Sequence, residues 1–121
     1  MTHRILLADD DAVMLDLVSS MLKNEGYEVL EAENGKEAVE LASRMLPSLI
    51  MLDMHMPEKN GLETLKEMKK NKLLRNVPVV MLTVEGSPSE IELCMVNGAN
   101  TYITKPAKKE EIIKVVKDLL I

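Results

Sequence analysis

The chain has 121 residues, 29% of them charged and 46% hydrophobic, and its 15 basic and 20 acidic side chains leave a net charge of −5. That length holds one domain around one core, and the balance of charge and apolar content is that of a folded globular chain, not a disordered one. The acidic excess argues against a binder of the nucleic-acid backbone, which needs a basic stripe.

The single cysteine, Cys94, cannot form an internal disulfide, and the first residues lack the basic start, apolar stretch and small-residue cleavage site of a secretion signal. No apolar run approaches the roughly 18 residues of a membrane span. The expected location is therefore the cytoplasm, with neither membrane nor nucleic acid as partner. Phe and Trp are absent while Met occurs ten times. These methionines read as adaptable core filler.

In chain order, the first element is a short apolar run, Ile5 to Ala8, followed directly by Asp9, Asp10 and Asp11. Two carboxylates about 4 Å apart repel by roughly 4 kcal/mol at an effective dielectric near 20, so three adjacent acids need an explanation. Strand alternation and a helix start would keep them apart; a bound cation would hold them together. Met14, Leu17, Val18, Met21 and Leu22 then give a helical stripe that Gly26 stops.

Val29 to Ala32 is a second apolar run, and Ala38, Leu41, Ala42 and Met45 form a second helical stripe before Pro47. Leu49 to Leu52 precedes Asp53, and Leu62, Leu65 and Met68 make a third helix. Val79 to Leu82 precedes Thr83. Ser87, Pro88 and Glu90 then supply an N-cap, a first-turn proline and a capping-box acid for a fourth helix that Gly98 ends. Tyr102 to Thr104 precedes Lys105 and Pro106, and Ile112, Val115, Val116, Leu119 and Leu120 make a fifth helix. The run KKEEIIKVVKD reads as a solvated helix face with intrahelical pairs.

The apolar runs are too short for helices and lack polar alternation, so they fit strands buried on both faces. Five strands alternating with five helices predict right-handed crossovers and a parallel sheet covered on both sides. Ligands of such sheets bind beyond the carboxyl ends of the strands. Asp9, Asp10, Asp53, Thr83 and Lys105 all stand at those ends. Mg²⁺ takes one or two carboxylates and keeps waters and a phosphate oxygen as its other ligands, while Lys105 and Thr83 would complete an anion site beside it. Each residue alone has a plainer reading: Asp53 as a loop-starting acid, Lys105 as a solvated lysine, Thr83 as a strand residue. Their joint position at strand ends favours the site.

The segments ILLADDD, LIMLDMHMPEKNG, VVMLT and YITKP, in this order, resemble the receiver domain of two-component response regulators, of which the chemotaxis receiver is the single-domain example. The resemblance covers nearly the whole chain. It implies a doubly wound α/β fold of flavodoxin type with strand order 2-1-3-4-5, and residues 1–121 as one stand-alone receiver without an output domain. It also implies that Asp53 is the phosphoacceptor, taking a phosphoryl group from a sensor histidine kinase or phosphotransfer protein. Asp10 would bind Mg²⁺, or Mn²⁺, directly and Asp9 through a water, with Asp53 and the backbone carbonyl of His55 as further ligands. Thr83 and Lys105 would hold phosphoryl oxygens, and Pro106 would follow a cis bond.

By the same resemblance Thr83 and Tyr102 form the switch that reshapes the face of the fourth helix, fifth strand and fifth helix for an unknown downstream protein. Tyr102 as a plain interface aromatic is the competing reading. His55 and Glu85 line the mouth and tune dephosphorylation. Asp11 is expected to cap the first helix. Such a domain is not an enzyme in its own right; it assists only its own Mg²⁺-dependent phosphorylation and dephosphorylation, as a monomer or weak dimer. Two departures from the family pattern stand out. Val84 is branched where a small residue is usual, which would slow phosphoryl exchange, and Ala107 replaces the usual Phe.

Three alternatives come from other classes. A haloacid-dehalogenase-like phosphatase would carry a second aspartate two residues past the nucleophile, where His55 stands. An unphosphorylated interaction module fits poorly with a full set of acidic, hydroxyl and lysine positions. A dinucleotide binder lacks its glycine-rich turn. A zinc site would need three or four Cys and His ligands, and the chain offers His3, His55 and Cys94.

Overall fold

A computed structural model describes residues 2–84 and 88–120. The elements run β1 (Arg4–Ala8), α1 (Ala12–Asn24), β2 (Glu28–Ala32), α2 (Gly35–Met45), β3 (Leu49–Asp53), α3 (Gly61–Lys70), β4 (Val79–Val84), α4 (Pro88–Val96), β5 (Thr101–Lys105) and α5 (Lys109–Leu119). Each strand extends the apolar run expected for it by one or two residues, because the ladder continues past the run at one or both ends. All four pairings are parallel, and the order is β2-β1-β3-β4-β5.

Strand side chains alternate between two cores. Leu6, Ala8, Ile50, Leu52, Val79 and Met81 join one buried cluster, with α2, α3 and α4 residues such as Ala38, Leu65 and Cys94. Ile5, Leu7, Leu49, Met51, Val80 and Leu82 face the other, with Leu15, Val18 and Leu22 of α1 and Ile112 and Val116 of α5. This is the two-residue period of a strand with both faces covered. Burial on both faces holds for β1, β3 and β4 only. The edge strands β2 and β5 are partly exposed, since each lacks a neighbour on one side.

One helical stripe differs in detail from the sequence pattern. In α1 the buried residues are Leu15, Val18, Ser19 and Leu22, while Leu17 is half exposed, so the helix is rotated slightly from the stripe that its methionines suggest. Cys94 packs in the core, but Met95 of the same helix is exposed. Met51, Met54, Met56, Met68 and Met81 are buried, five of the nine methionines among the described residues, as expected of filler. Gly26 takes φ 93, a conformation that suits glycine, and the amides of Gly26 and Tyr27 bond the carbonyls of Lys23 and Leu22 to close α1. Ser87, the expected cap of α4, lies outside the described residues, as does Glu85.

Candidate functional site

The central strands end side by side. In the ladder Ala8 lies opposite Leu52, Asp53 opposite Leu82, and Val84 opposite Lys105. Residues leaving these ends must therefore share one crevice. Asp9 and Asp53 are buried, Asp10 is exposed at the rim, and one carboxylate oxygen from each lies within 4.8 Å of the others. The Lys105 ammonium reaches in from β5, 2.8 Å from Asp9 Oδ2 and 3.0 Å from Asp53 Oδ1.

Local bonds hold these groups in place. The Asp9 amide donates to the Ala32 carbonyl at 3.0 Å, and Asp9 Oδ1 accepts from the Asp11 amide at 2.9 Å. Asp11 caps α1, accepting from the Val13 and Met14 amides at 3.0 and 3.3 Å. Of the three consecutive acids, then, Asp11 serves the helix and the other two serve the pocket. Beyond Asp53, the Met54 amide bonds the Leu82 carbonyl and the Gly61 amide bonds the Met54 carbonyl, each near 2.9 Å or less. Asn60 and Glu63 form a capping box on α3. A side chain on Gly61 would meet the Asp53 carbonyl oxygen at 2.5 Å and Met54 Cα at 2.8 Å, so the turn below the acid admits only glycine without displacement.

Electrostatics follow from that crowding. Burial pushes the Asp53 carboxyl above its ordinary range; the hydrogen bond and charge of Lys105 pull it down, and Asp9 and Asp10 push it up again. Burial disfavours the Lys105 ammonium too, but its bonds to Asp9 and Asp53 prevail and raise its pKa. Three carboxylates facing one ammonium leave two negative charges in the cluster. A hard divalent cation would balance that excess, and carboxylate oxygens are the donors it prefers.

Thr83 is buried at the end of β4, and its hydroxyl donates to the Val84 carbonyl at 3.3 Å. Val84 itself is 56% exposed and Tyr102 44% exposed. The Lys105–Pro106 bond is cis. His55 is exposed after β3, its Nε2 3.4 Å from Glu90 of α4, a pairing that spacing alone does not reveal because the two residues lie on different elements. Lys59 bonding Glu67 at 2.6 Å is likewise a tertiary feature. The double engagement of Lys105 with both acids also escapes a linear reading.

Comparison with known proteins agrees with the fold. Residues 5–117 match the family model described as "Response regulator receiver domain". The chain is 33% identical over 120 residues to the phosphate regulon transcriptional regulatory protein PhoB of Escherichia coli, covering 99% of this chain and 52% of that protein. It is 39% identical over 117 residues to a CpxR homologue, a transcriptional regulatory protein of Haemophilus influenzae, covering 97% and 50%. The chain thus spans about half the length of these curated relatives. Among solved structures, the chemotaxis response regulator CheY4 of Vibrio cholerae superposes with a TM-score of 0.94 at 30% identity, covering 99% of this chain and 100% of that one. By the family model, the relatives and the fold, the chain belongs to the response regulator receiver domains of two-component phosphorelay signalling.

Proposed function

We propose that this receiver accepts a phosphoryl group on Asp53 from the phosphohistidine of a sensor kinase or phosphotransfer protein, in a Mg²⁺-dependent step. The observation that carries this reading is the meeting of Asp9, Asp10 and Asp53 oxygens within 4.8 Å, beside the Lys105 ammonium. Asp10, Asp9 and Asp53 would hold Mg²⁺ or Mn²⁺, with the His55 backbone carbonyl completing the protein's share. The ion, when bound, supplies charge neutralisation to the carboxylate cluster and to the incoming phosphoryl oxygens.

The step itself is a displacement at phosphorus. An Asp53 carboxylate oxygen forms the new P–O bond, the P–N bond to the imidazole breaks, and its electron pair returns to the ring nitrogen, which solvent protonates. Asp53 must be ionised to attack, and its burial works against that. Lys105, already bonded to Asp53, would move onto a phosphoryl oxygen and offset charge on the transferred group. Hydrolysis reverses the outcome: water attacks phosphorus and Asp53 leaves as carboxylate.

Signalling needs a second state that the phosphoryl group favours by contacts absent from the first. The Thr83 hydroxyl, here on the Val84 carbonyl, would turn to a phosphoryl oxygen. Tyr102, half exposed on edge strand β5, would turn inward and reshape the α4-β5-α5 face for a downstream protein. His55 and Val84 are assigned to the mouth, where they set the access of water. We place the protein in the cytoplasm, as a monomer or weak dimer.

The test is intact-protein mass spectrometry after incubation with a small phosphodonor and Mg²⁺. The parent should gain the mass of one phosphoryl group, and Asp53→Asn should gain none. A parent that stays unmodified, or an Asp53→Asn protein that is still modified, would remove the reading.

A further inference from the structure

The acidic pocket lies at the carboxyl ends of the strands, and a second charged surface of opposite sign lies at their amino ends. Helix α3 starts beside the pocket, with the Gly61 amide on the Met54 carbonyl, and descends to a turn that feeds the start of β4. At about 1.5 Å per residue its ten residues cover roughly 15 Å. The segment Lys66 to Arg75 carries five of the chain's 15 basic residues and one acid, in a protein whose net charge is −5.

The distribution of bonds within this segment separates structural from available cations. Glu67, the one acid, bonds Lys59. Lys69 is turned inward, its ammonium on the Arg75 and Val77 carbonyls at 3.0 and 3.4 Å. Lys66, Lys70, Lys72 and Arg75 are exposed, and among the described residues none of them forms an ion pair. Cations in the last turn of a helix offset its dipole, which accounts for Lys70. Lys72 and Arg75 lie past the helix end and are left without that explanation.

Among these cations sits an apolar side chain on a fixed turn. Leu73 is 67% exposed, whereas Leu74 beside it is fully buried and anchors the segment. The Leu73 amide bonds Asn71 Oδ1 at 2.8 Å, the Leu74 and Arg75 amides bond the Asn71 carbonyl, and Asn71 Nδ2 reaches Ser43 Oγ of α2 at 3.4 Å. A rigid turn displaying one leucine between a lysine and an arginine loses little conformational freedom when it is covered, and an apolar centre within a polar rim is how interfaces are built.

We infer that the turn formed by Asn71 to Arg75, with the end of α3, is a docking surface for an acidic protein segment that carries an apolar residue among its carboxylates. Charge complementarity identifies the occupant. A duplex or an anionic membrane presents charge over an area far wider than this patch and would also meet the acidic remainder of the molecule. A short acidic segment matches the patch in sign and size. Because the surface lies at the far end of the sheet from Asp53, a segment bound there leaves the acidic pocket open.

The probe is a ten-residue peptide of alternating glutamate and leucine, titrated into the ¹⁵N-labelled protein at low and at physiological salt. Amide shifts should cluster in residues 66–77, and affinity should fall as salt rises. The double variant Lys72→Glu/Arg75→Glu should bind at least about tenfold more weakly, a difference of about 1.4 kcal/mol. Leu73→Ser should also weaken binding while leaving the salt dependence unchanged. Lys72→Gln/Arg75→Gln repeats the test with milder changes, and an unaltered far-ultraviolet spectrum confirms its fold. Absence of binding, shifts spread over the whole surface, or affinity indifferent to these variants overturns the inference. Tighter binding of a DNA duplex or of phosphatidylglycerol vesicles to the same residues overturns it as well. So does a dimer in sedimentation velocity that the charge reversal abolishes, since the occupant would then be a second copy of this chain.

Discussion

The Lys105 ammonium lies 3.0 Å from Asp53 Oδ1, although 52 residues separate them in the chain. Lys105 also lies 2.8 Å from Asp9 Oδ2, and the side chains of Asp9, Asp53 and Lys105 are 2%, 9% and 16% exposed. Removing one partner of a buried pair leaves an uncompensated charge behind. Lys105→Met should therefore lower stability by about 3 kcal/mol in the absence of divalent ions, and Mg²⁺ should restore most of it. Urea unfolding with and without Mg²⁺ measures both effects; an unchanged midpoint in metal-free buffer would count against a structural role for the pair.

A cation bound by Asp9, Asp10 and Asp53 must stabilise the folded state through mass action. At a Mg²⁺ concentration a hundredfold above its dissociation constant the gain is about 2.7 kcal/mol, or roughly 10 °C in melting temperature for a domain of this size. Thermal melts followed by circular dichroism should show the shift in the parent and its reversal by chelator. Asp10→Asn should lose most of it. Equal shifts in both proteins would mean that the ion binds elsewhere.

The pH dependence of metal-free stability follows from Asp53. Its carboxyl is held above the ordinary value of 3.8, chiefly by burial. Between 3.8 and that raised value the folded state holds more protons than the unfolded state, so this group's contribution to stability falls as pH rises through the window. Asp53→Asn should flatten the slope there when chelator is present. Saturating Mg²⁺ should oppose the slope in the parent, because the ion binds carboxylate and not carboxylic acid.

Gly61 sits where the Asp53 carbonyl oxygen and Met54 Cα leave no space for a Cβ. Both obstacles are backbone, so relief requires moving the turn that follows Asp53. Gly61→Ala should cost about 2–3 kcal/mol and slow phosphorylation of Asp53 in the protein that still folds. Denaturant midpoints and phosphodonor kinetics would show the two losses; full stability would mean that the turn has another conformation available.

Val84 follows Thr83 at the end of β4 and is 56% exposed. A branched side chain there is proposed to narrow the approach to Asp53. Val84→Ala should speed both phosphorylation by a small donor and phosphoryl loss by about threefold, a barrier change of roughly 0.65 kcal/mol. Equal rates in parent and variant would remove Val84 from the set of residues controlling the mouth.

How much of this was legible in the chain depends on the range of the interaction. Helix ends were readable where the stop is local: Gly26 closes α1 through its own positive φ, and Asp11 caps α1 through amides two and three residues ahead. The buried face of α1 was read less well, since Leu17 is exposed and Leu15 and Ser19 are buried, because a stripe of apolar residues fixes a helix's period more firmly than its rotation. The partial exposure of β2 and β5 was missed for a related reason: an apolar run carries no mark of whether another strand lies beside it.

For the site, the chemical inventory and its placement are legible in the chain. Apolar runs of strand length ending in Asp9, Asp53, Thr83 and Lys105 must deliver those groups to one edge of a parallel sheet, since every strand of such a sheet points the same way. How they meet is set by the packing of the folded chain. Lys105 spans Asp9 and Asp53 together, the Thr83 hydroxyl rests on Val84, His55 faces Glu90, and Leu73 is displayed among exposed cations at the opposite end. Sequence periodicity fixes the direction and face of each element, whereas contacts between side chains depend on which strands become neighbours and how their registers align.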